Sequence, residues 1–470
     1  LANVRRWDPR TRSTQSWDGL RRDYELFHPT GDCLVHLYAK GHSRRGPSFS
    51  VHLKRIHEMR CGPMFTLCFA DETPESAARQ IPGAPKVYEI FIPAPQDAMR
   101  EDAFTWHITT RNFFAFVFGK PLVGAHLGKA LVDLQERLHV FRSEEVDNFA
   151  DMAAYLEKAG YLNFNHNPDY ALAVLYYADH YKLRDLWIDA FAHSVGMNDK
   201  LSASSEYEST SRVNRTLITR AFLEMDLHLG RVSRSMSNFL EDELSGSYLG
   251  LSTGARAHLD RFRSFLHQYY VEKWGYWPPP KGSQLPKSLY KSMYFDFRAL
   301  YDFLVDTDST DSMLSERLPI GGICVLQNVQ AFDRRHKYAP LPHPLPLVPD
   351  ASAYVKAQSQ RALLSIALGT KNSKNNRQFS TRSALHAATN THDLAIVNAP
   401  LVKAYRQFER ECAVRKEEKV SLADARKVRW LLIYSILQML ISVTRAPKEV
   451  RDTDGPDYPL CCLVAGLPPW

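Results

Sequence analysis

The sequence predicts an α+β protein, mainly α-helical, with a small N-terminal sheet followed by helical regions. Three observations predict it. Short strand-like segments cluster before residue 93, in Cys33–Tyr38, Ser48–Leu53 and Lys86–Ile92. From His107 onward the apolar period lengthens toward 3.6. The later segments are also bounded by helix start and stop residues, such as Asn167-Pro168 and Gly119-Lys120-Pro121.

Residues 1–29 read as a polar, basic lead-in, extended or partly helical, with Trp7, Trp17, Leu20, Tyr24 and Phe27 interspersed. Leu34–Tyr38 and Phe49–Leu53 form a hairpin around the turn residues Gly41–Pro47. Lys54–Arg60 is a helical turn stopped by Gly62-Pro63, and Val87–Ile92 is a third strand ending at Pro93. Helices are predicted over His107–Phe118, Leu122–Leu138, Phe149–Ala159, Pro168–His180, Leu183–Val195, Val213–Leu229, Val232–Leu240, Ala255–Tyr270 and Leu285–Val305. Ile320–Gln327 reads as one strand or a buried loop. Five prolines force Tyr338–Pro349 into extended, largely polyproline II backbone. Further helices are predicted over Ala351–Leu368, Ser383–Ala395, Ala399–Glu418 and Leu422–Val443. Ser421 with Asp424 resembles a capping box. Gly369–Arg382 is polar and basic and predicts a mobile loop. The apolar yet Pro/Gly-rich Arg451–Trp470 is expected to pack back on the helices. The expected organisation is a lead-in (1–29), an α+β domain (30–200), a helical middle region (201–337), a Pro-rich and basic connector (338–382) and a C-terminal helical region (383–470).

Composition bounds the function class. The 470 residues are 44% hydrophobic and 24% charged, which excludes a disordered or collagen-like chain. The longest apolar run, Trp430–Val443, is shorter than the roughly 18 residues of a membrane span and contains Ser435, Gln438 and Ser442. It is expected to be a core helix, so no membrane span is predicted. The net charge of +7 is too small to imply nucleic acid by itself. All of that excess falls between Ala331 and Arg382. The seven cysteines form no CxxC pair, and no secretory signal is evident. Reduced thiols and an intracellular location, cytoplasmic or nuclear, are expected. The first residue is Leu1 rather than Met, so the sequence is expected to be a piece of a longer chain.

Several short patterns suggest chemistry, each with a plainer alternative. Gly250-Leu251-Ser252-Thr253-Gly254 has the G-x-S-x-G form of a hydrolase nucleophile elbow, which makes Ser252 the alternative catalytic residue. The plainer reading is that Ser252 or Thr253 caps the following helix. Gly124–Ala130 falls one residue short of a Walker A loop, and Ala130 cannot ligate Mg²⁺. Glu224, Asp226 and His228 alternate, which disperses them on a helix, so no metal site and no cofactor is expected. Arg261, Arg263 and His267 on one aromatic helix, and the basic segment 331–382, offer only a weak nucleic-acid surface. Pro278–Pro280 and Pro340–Pro349 read as stiffened connectors rather than ligands for proline-reading domains. Asn214-Arg215-Thr216 has sequon form, which carries no meaning without a secretory signal.

The order of elements in the first half resembles a BTB/POZ domain. The resemblance rests on the hairpin, on His52-Leu53-Lys54-Arg55-Ile56 leading into a helix, and on Met64-Phe65. It continues through Val87–Ile92 and Thr110–Phe118, and is most specific at Leu175–Leu186 (LYYADHYKLRDL). Residues 120–167 depart from it as a long helical insertion, and residues 69–86 are longer than such a domain needs. The phrases TRNFFAFVFGKPLVG (Thr110–Gly124), HLDRFRSFL (His258–Leu266), GYWPPP (Gly275–Pro280), GGICVLQNV (Gly321–Val329) and LPHPLPL (Leu341–Leu347) resemble an uncharacterised family of filamentous-fungal proteins. So do ARKVRWLLIY, APKEVRDT and the terminal PPW. The second resemblance implies a fungal source and brings no known activity. The first implies a non-enzymatic interaction or scaffold protein with protein partners and a potential to form homodimers.

Overall fold

The computed structural model describes residues 4–67, 69–72, 87–245, 248–278, 285–309, 323–349, 382–412 and 418–470. The chain divides into two compact units. The first comprises Leu1–Leu223 and Ala446–Trp470, the second Glu224–Arg445. The sequence divided the chain at residues 29, 200, 337 and 382, whereas packing divides it at 223 and 445.

The architecture is α+β and mainly helical, with both sheets in the first unit. One sheet has the strand order β2-β1-β7, from β1 (Arg5–Asp8), β2 (Ser13–Ser16) and β7 (Leu122–Gly124), all antiparallel. The other has the order β4-β3-β6-β5. In it β3 (Cys33–His36) pairs antiparallel with β4 (Phe49–Val51) and parallel with β6 (Tyr88–Phe91), while β5 (Phe69–Glu72) closes the edge antiparallel to β6. The predicted hairpin and third strand are these β3, β4 and β6.

Within the lead-in the strand residues are extended, one of its two expected forms, and not helical. They form the β1–β2 hairpin, because Trp7 is fully buried and its indole N–H donates to the Gly124 carbonyl at 3.2 Å. For the same reason Leu122–Gly124 is a strand and not the start of a helix: it supplies the edge on which β1 pairs.

The remaining elements of the first unit are helical. They are α1 (Leu53–Glu58), α2 (Gly62–Leu67), α3 (Arg100–Phe118), α4 (Leu127–Phe141), α5 (Asn148–Ala159), α6 (Pro168–Tyr181), α7 (Arg184–Gly196) and α8 (Asn198–Leu201). Helix α6 is capped by Asn167, whose Oδ1 accepts from Tyr170 N at 3.1 Å, with Pro168 at its first position. Its Ala171–Leu175 run is fully buried, and it packs on α4 and α7. The tail packs back as expected: Leu460, Cys461 and Cys462 are buried, and the Tyr458 hydroxyl lies 2.8 Å from His193 Nδ1 on α7.

Helix α9 (Arg212–Ser237) is continuous where two helices were predicted, and the boundary between the units falls within it. The second unit then contains α10 (Thr253–Trp274), α11 (Lys287–Leu304), α12 (Val325–His336), α13 (Leu394–Asn398), α14 (Pro400–Cys412) and α15 (Leu422–Thr444). Cys324–Gln327, read as a strand or loop, is the N-cap and first turn of α12, which buries Val325, Val329 and Phe332. Ala351–Leu368, and Gly369–Arg382 except Arg382, lie outside the described residues.

Helix α15 is the core of the second unit, packed by α10, α11 and α12. By length and hydropathy alone it could cross a membrane, yet 78% of its apolar window is buried within the protein. A helix buried nearly all round reads as apolar on every face. Ser421 Oγ accepts from Asp424 N at 3.0 Å, but the Asp424 carboxylate takes the Ser421 hydroxyl at 2.8 Å. Aspartate is one methylene short of the glutamate of a capping box, and the second limb closes on the side chain.

Candidate functional site

Of the motifs weighed in the sequence, Ser252 is the first to place. It is the N-cap of α10, and its Oγ accepts from Ala255 N at 3.3 Å. Tyr248–Gly250 before it is a turn, not a strand. Among the described residues no histidine is hydrogen-bonded to Ser252. Each glycine of the motif has its own structural cause. Gly250 has φ +60°, the left-handed region that glycine enters without cost, and a Cβ on Gly254 would overlap the Glu418 carbonyl.

The Gly124–Ala130 segment does run from a strand into a helix. The α4 N-terminus is occupied, however. Leu127 N and Gly128 N donate to the Glu206 carboxylate at 2.8 and 3.0 Å. An internal carboxylate therefore fills the place an external phosphate would take. Burial pushes the Glu206 pKa up to about 7 against those two amides.

Arg261 and Arg263 of α10 are engaged as well, while His267 is exposed. Arg261 reaches Glu418 at 2.9 and 3.0 Å, and Arg263 donates to the carbonyls of Phe239, Leu240 and Leu244. His228 Nε2 lies 2.9 Å from Ser442 Oγ. Among the described residues no three His, Cys, Asp or Glu side chains converge as metal ligands. Asn214 is buried, and its Nδ2 donates to Asp179 at 3.2 Å. The Pro-rich strip is seated on α15. Trp430 Nε1 donates to the Pro344 carbonyl at 2.8 Å, and Leu341 N donates to Tyr434 Oη at 3.1 Å. Burial pushes the thiols of Cys33, Cys61 and Cys462 up to about 12, which leaves them unreactive.

An open groove remains in the first unit, where α5, the α6–α7 turn and the tail meet. No motif in the sequence marks it. Asp147 starts α5 by accepting from Phe149 N and Ala150 N at 3.1 and 2.9 Å. That start sets Phe149, Ala153 and Glu157, each four residues apart, on one helix face along the groove. Lys182, at φ +55°, turns the chain from α6 directly into α7 and brings Leu183 and Leu186 to the mouth. The groove holds about 610 Å³, with Leu156 and Tyr177 buried in its floor. Phe149 is 37% exposed, and its ring meets Tyr181 edge-on at 5.3 Å.

The basic groups of the rim are all paired with acids, while among the described residues the Glu157 carboxylate forms no ion pair. Arg184 pairs with Asp185 at 3.0 Å and with Glu449 at 2.9 Å. Arg451 Nε donates to Asp189 at 2.6 Å, and its Nη2 donates to the Leu162 carbonyl at 3.2 Å. Lys182 lies 3.4 Å from Asp179 and 4.3 Å from the Trp470 ring centre. Burial raises the Asp189 pKa against the pull of Arg451. This surface can accept apolar side chains without asking for charge. Its signal in the sequence was weak, since Phe149 and Ala153 look like any other amphipathic positions.

One protein family matches the chain, described as "Domain of unknown function (DUF8004)", over residues 149–241. The match starts at Phe149 and takes in α5, α6, α7 and therefore most of the groove. No curated protein and no solved structure matches the chain.

Proposed function

We propose that this is a non-enzymatic protein-interaction or scaffold protein whose binding face is the groove over α5 and the α6–α7 turn. The observation that carries the reading is the pairing of Arg184 with Glu449 and of Arg451 with Asp189 around an apolar floor. Interfaces with an apolar centre and a polar rim are the usual anatomy of specific binding. Because Lys182, Arg184 and Arg451 are already paired with acids and the floor is apolar, the occupant is a short apolar segment of a partner protein rather than an acidic one. A volume of about 610 Å³ suits a few side chains and not a whole domain. The adaptor class is also what the BTB/POZ-like order of the first half implies. Deeply buried charges elsewhere, such as Arg111 with Asp23 at 2.6 Å, are tied to internal partners, as structural ion pairs are.

The test is selection of a displayed random peptide library on the immobilised full chain. Ala153→Arg, at an exposed helix position, fills the groove without disturbing the core. The reading expects apolar peptides whose binding is lost on Ala153→Arg and changes less than twofold between 50 and 500 mM salt. Peptides that bind the variant equally well would overturn it.

A further inference from the structure

The second unit holds an opening unconnected with the proposed interaction. A pocket of about 630 Å³ lies between the helical turn at residues 382–387 and α14. Its wall carries Arg382 and His386 from the helical turn, and Arg406 and Arg410 from α14. Four-residue spacing puts each pair on one helix face, and the pocket gathers the two faces.

These arginines differ from others in the same unit. Arg426 is paired with Glu409, and Arg261 with Glu418. Among the described residues the guanidinium groups of Arg382, Arg406 and Arg410 form no ion pair or hydrogen bond. The two acids at the wall do not supply one. Glu409 is already bound by both Arg426 and Arg429, and Glu411 accepts from Gln407 at 3.2 Å. Positive charge is therefore left in excess around a cavity many times the ~30 Å³ of a water molecule. Three guanidinium groups present planar donor pairs, the arrangement that binds phosphoryl oxygens two at a time.

We infer that this pocket binds a ligand carrying two or more phosphate groups, held by Arg382, Arg406 and Arg410 with His386 beside them. The inference is independent of the groove in the first unit. The ligand's source is a soluble polyphosphate ester or a phosphorylated lipid headgroup, which share this chemistry.

The experiment is thermal unfolding and calorimetric titration of the full chain with inorganic tripolyphosphate at 50 mM salt. Three proteins are compared: wild type, Arg406→Gln/Arg410→Gln, and Lys403→Gln, an exposed lysine of the same helix outside the pocket. Saturable binding by wild type, weakened at least tenfold in the double variant and unchanged in Lys403→Gln, is expected. No saturable binding by wild type would overturn the inference, as would equal binding by the double variant. A loss in Lys403→Gln as large as in the double variant would also overturn it, since binding would then follow bulk charge. A parallel sedimentation with phosphatidylcholine vesicles, with and without phosphatidylinositol bisphosphate, separates the sources. Pocket-dependent capture by the second vesicle alone places the ligand on a lipid. Tripolyphosphate binding without capture makes the ligand soluble.

Discussion

Arg429 donates to His258 within the core of the second unit: Nη1 lies 2.8 Å from Nε2, while Glu418 Oε2 lies 3.0 Å from Nδ1 on the ring's other side. An arginine can only donate and a carboxylate can only accept, so with Arg429 on Nε2 and Glu418 on Nδ1 the ring is the neutral Nδ1–H tautomer, and Arg261 Nη2, 3.1 Å from Nδ1, donates to Glu418 Oε2 instead. Burial first, and Arg429 second, push its pKa down to about 4, against the pull of Glu418. The folded value lies below the ordinary 6.5, so the folded state binds fewer protons than the unfolded one. Stability is whole above pH 6.5 and is lost as pH falls toward 4. The loss at pH 5 is about 2 kcal/mol. Between pH 7.5 and 5.0 the stability of wild type relative to His258→Gln, measured by urea unfolding, should fall by this amount. Equal losses would contradict the assignment.

In the first unit the sign reverses. Glu206 is raised to about 7 by burial, above its ordinary 4.5. The folded state binds the extra proton, so this group adds stability as pH falls from 7 toward 4.5. Glu206→Gln keeps an acceptor for the α4 amides and does not titrate. The difference in urea midpoint between variant and wild type should therefore change between pH 7.5 and 5.0, in favour of wild type at the lower pH.

Glu409 accepts from Arg426 Nε and Nη2 at 2.8 and 3.0 Å and from Tyr405 Oη at 3.1 Å, and it also binds Arg429. Burial opposes its charge, but the two guanidinium groups outweigh that and hold it below the ordinary carboxylate range. Removing the charge leaves two buried cations uncompensated. Glu409→Gln should cost about 3–5 kcal/mol of unfolding free energy. A cost under about 1 kcal/mol would mean that water reaches the cluster.

Ser252 and Gly254 give a further test, because capping and nucleophilic roles predict different losses. Ser252→Ala should cost about 1 kcal/mol, the value of a cap. Gly254→Ala should cost more, since its Cβ meets the Glu418 carbonyl. A fluorophosphonate probe should label wild type and Ser252→Ala alike. Labelling lost with the serine would restore the hydrolase alternative.

The helices were legible in the sequence because their signals are local. Asn167-Pro168 marks the start of α6, and Ser252 the start of α10. The β1–β2 hairpin was not legible, since it is stabilised by Trp7 reaching Gly124, more than a hundred residues away. The same holds for the sites. The hydroxyl and glycines of Gly250–Gly254 were visible as a motif, but the cause of Gly254 is the distant backbone at Glu418. The groove and the arginine pocket depend on which helix faces meet, and no single stretch of sequence carries that. Glu206 filling the α4 N-terminus is likewise a contact across 78 residues.

The central claim is that the groove over α5 and the α6–α7 turn receives an apolar partner segment. Hydrogen exchange of the full chain, with and without a library-selected peptide at saturation, tests it most directly. The account predicts slower exchange at residues 149–159 and 182–189, absent in Ala153→Arg. Protection confined to other residues would contradict it.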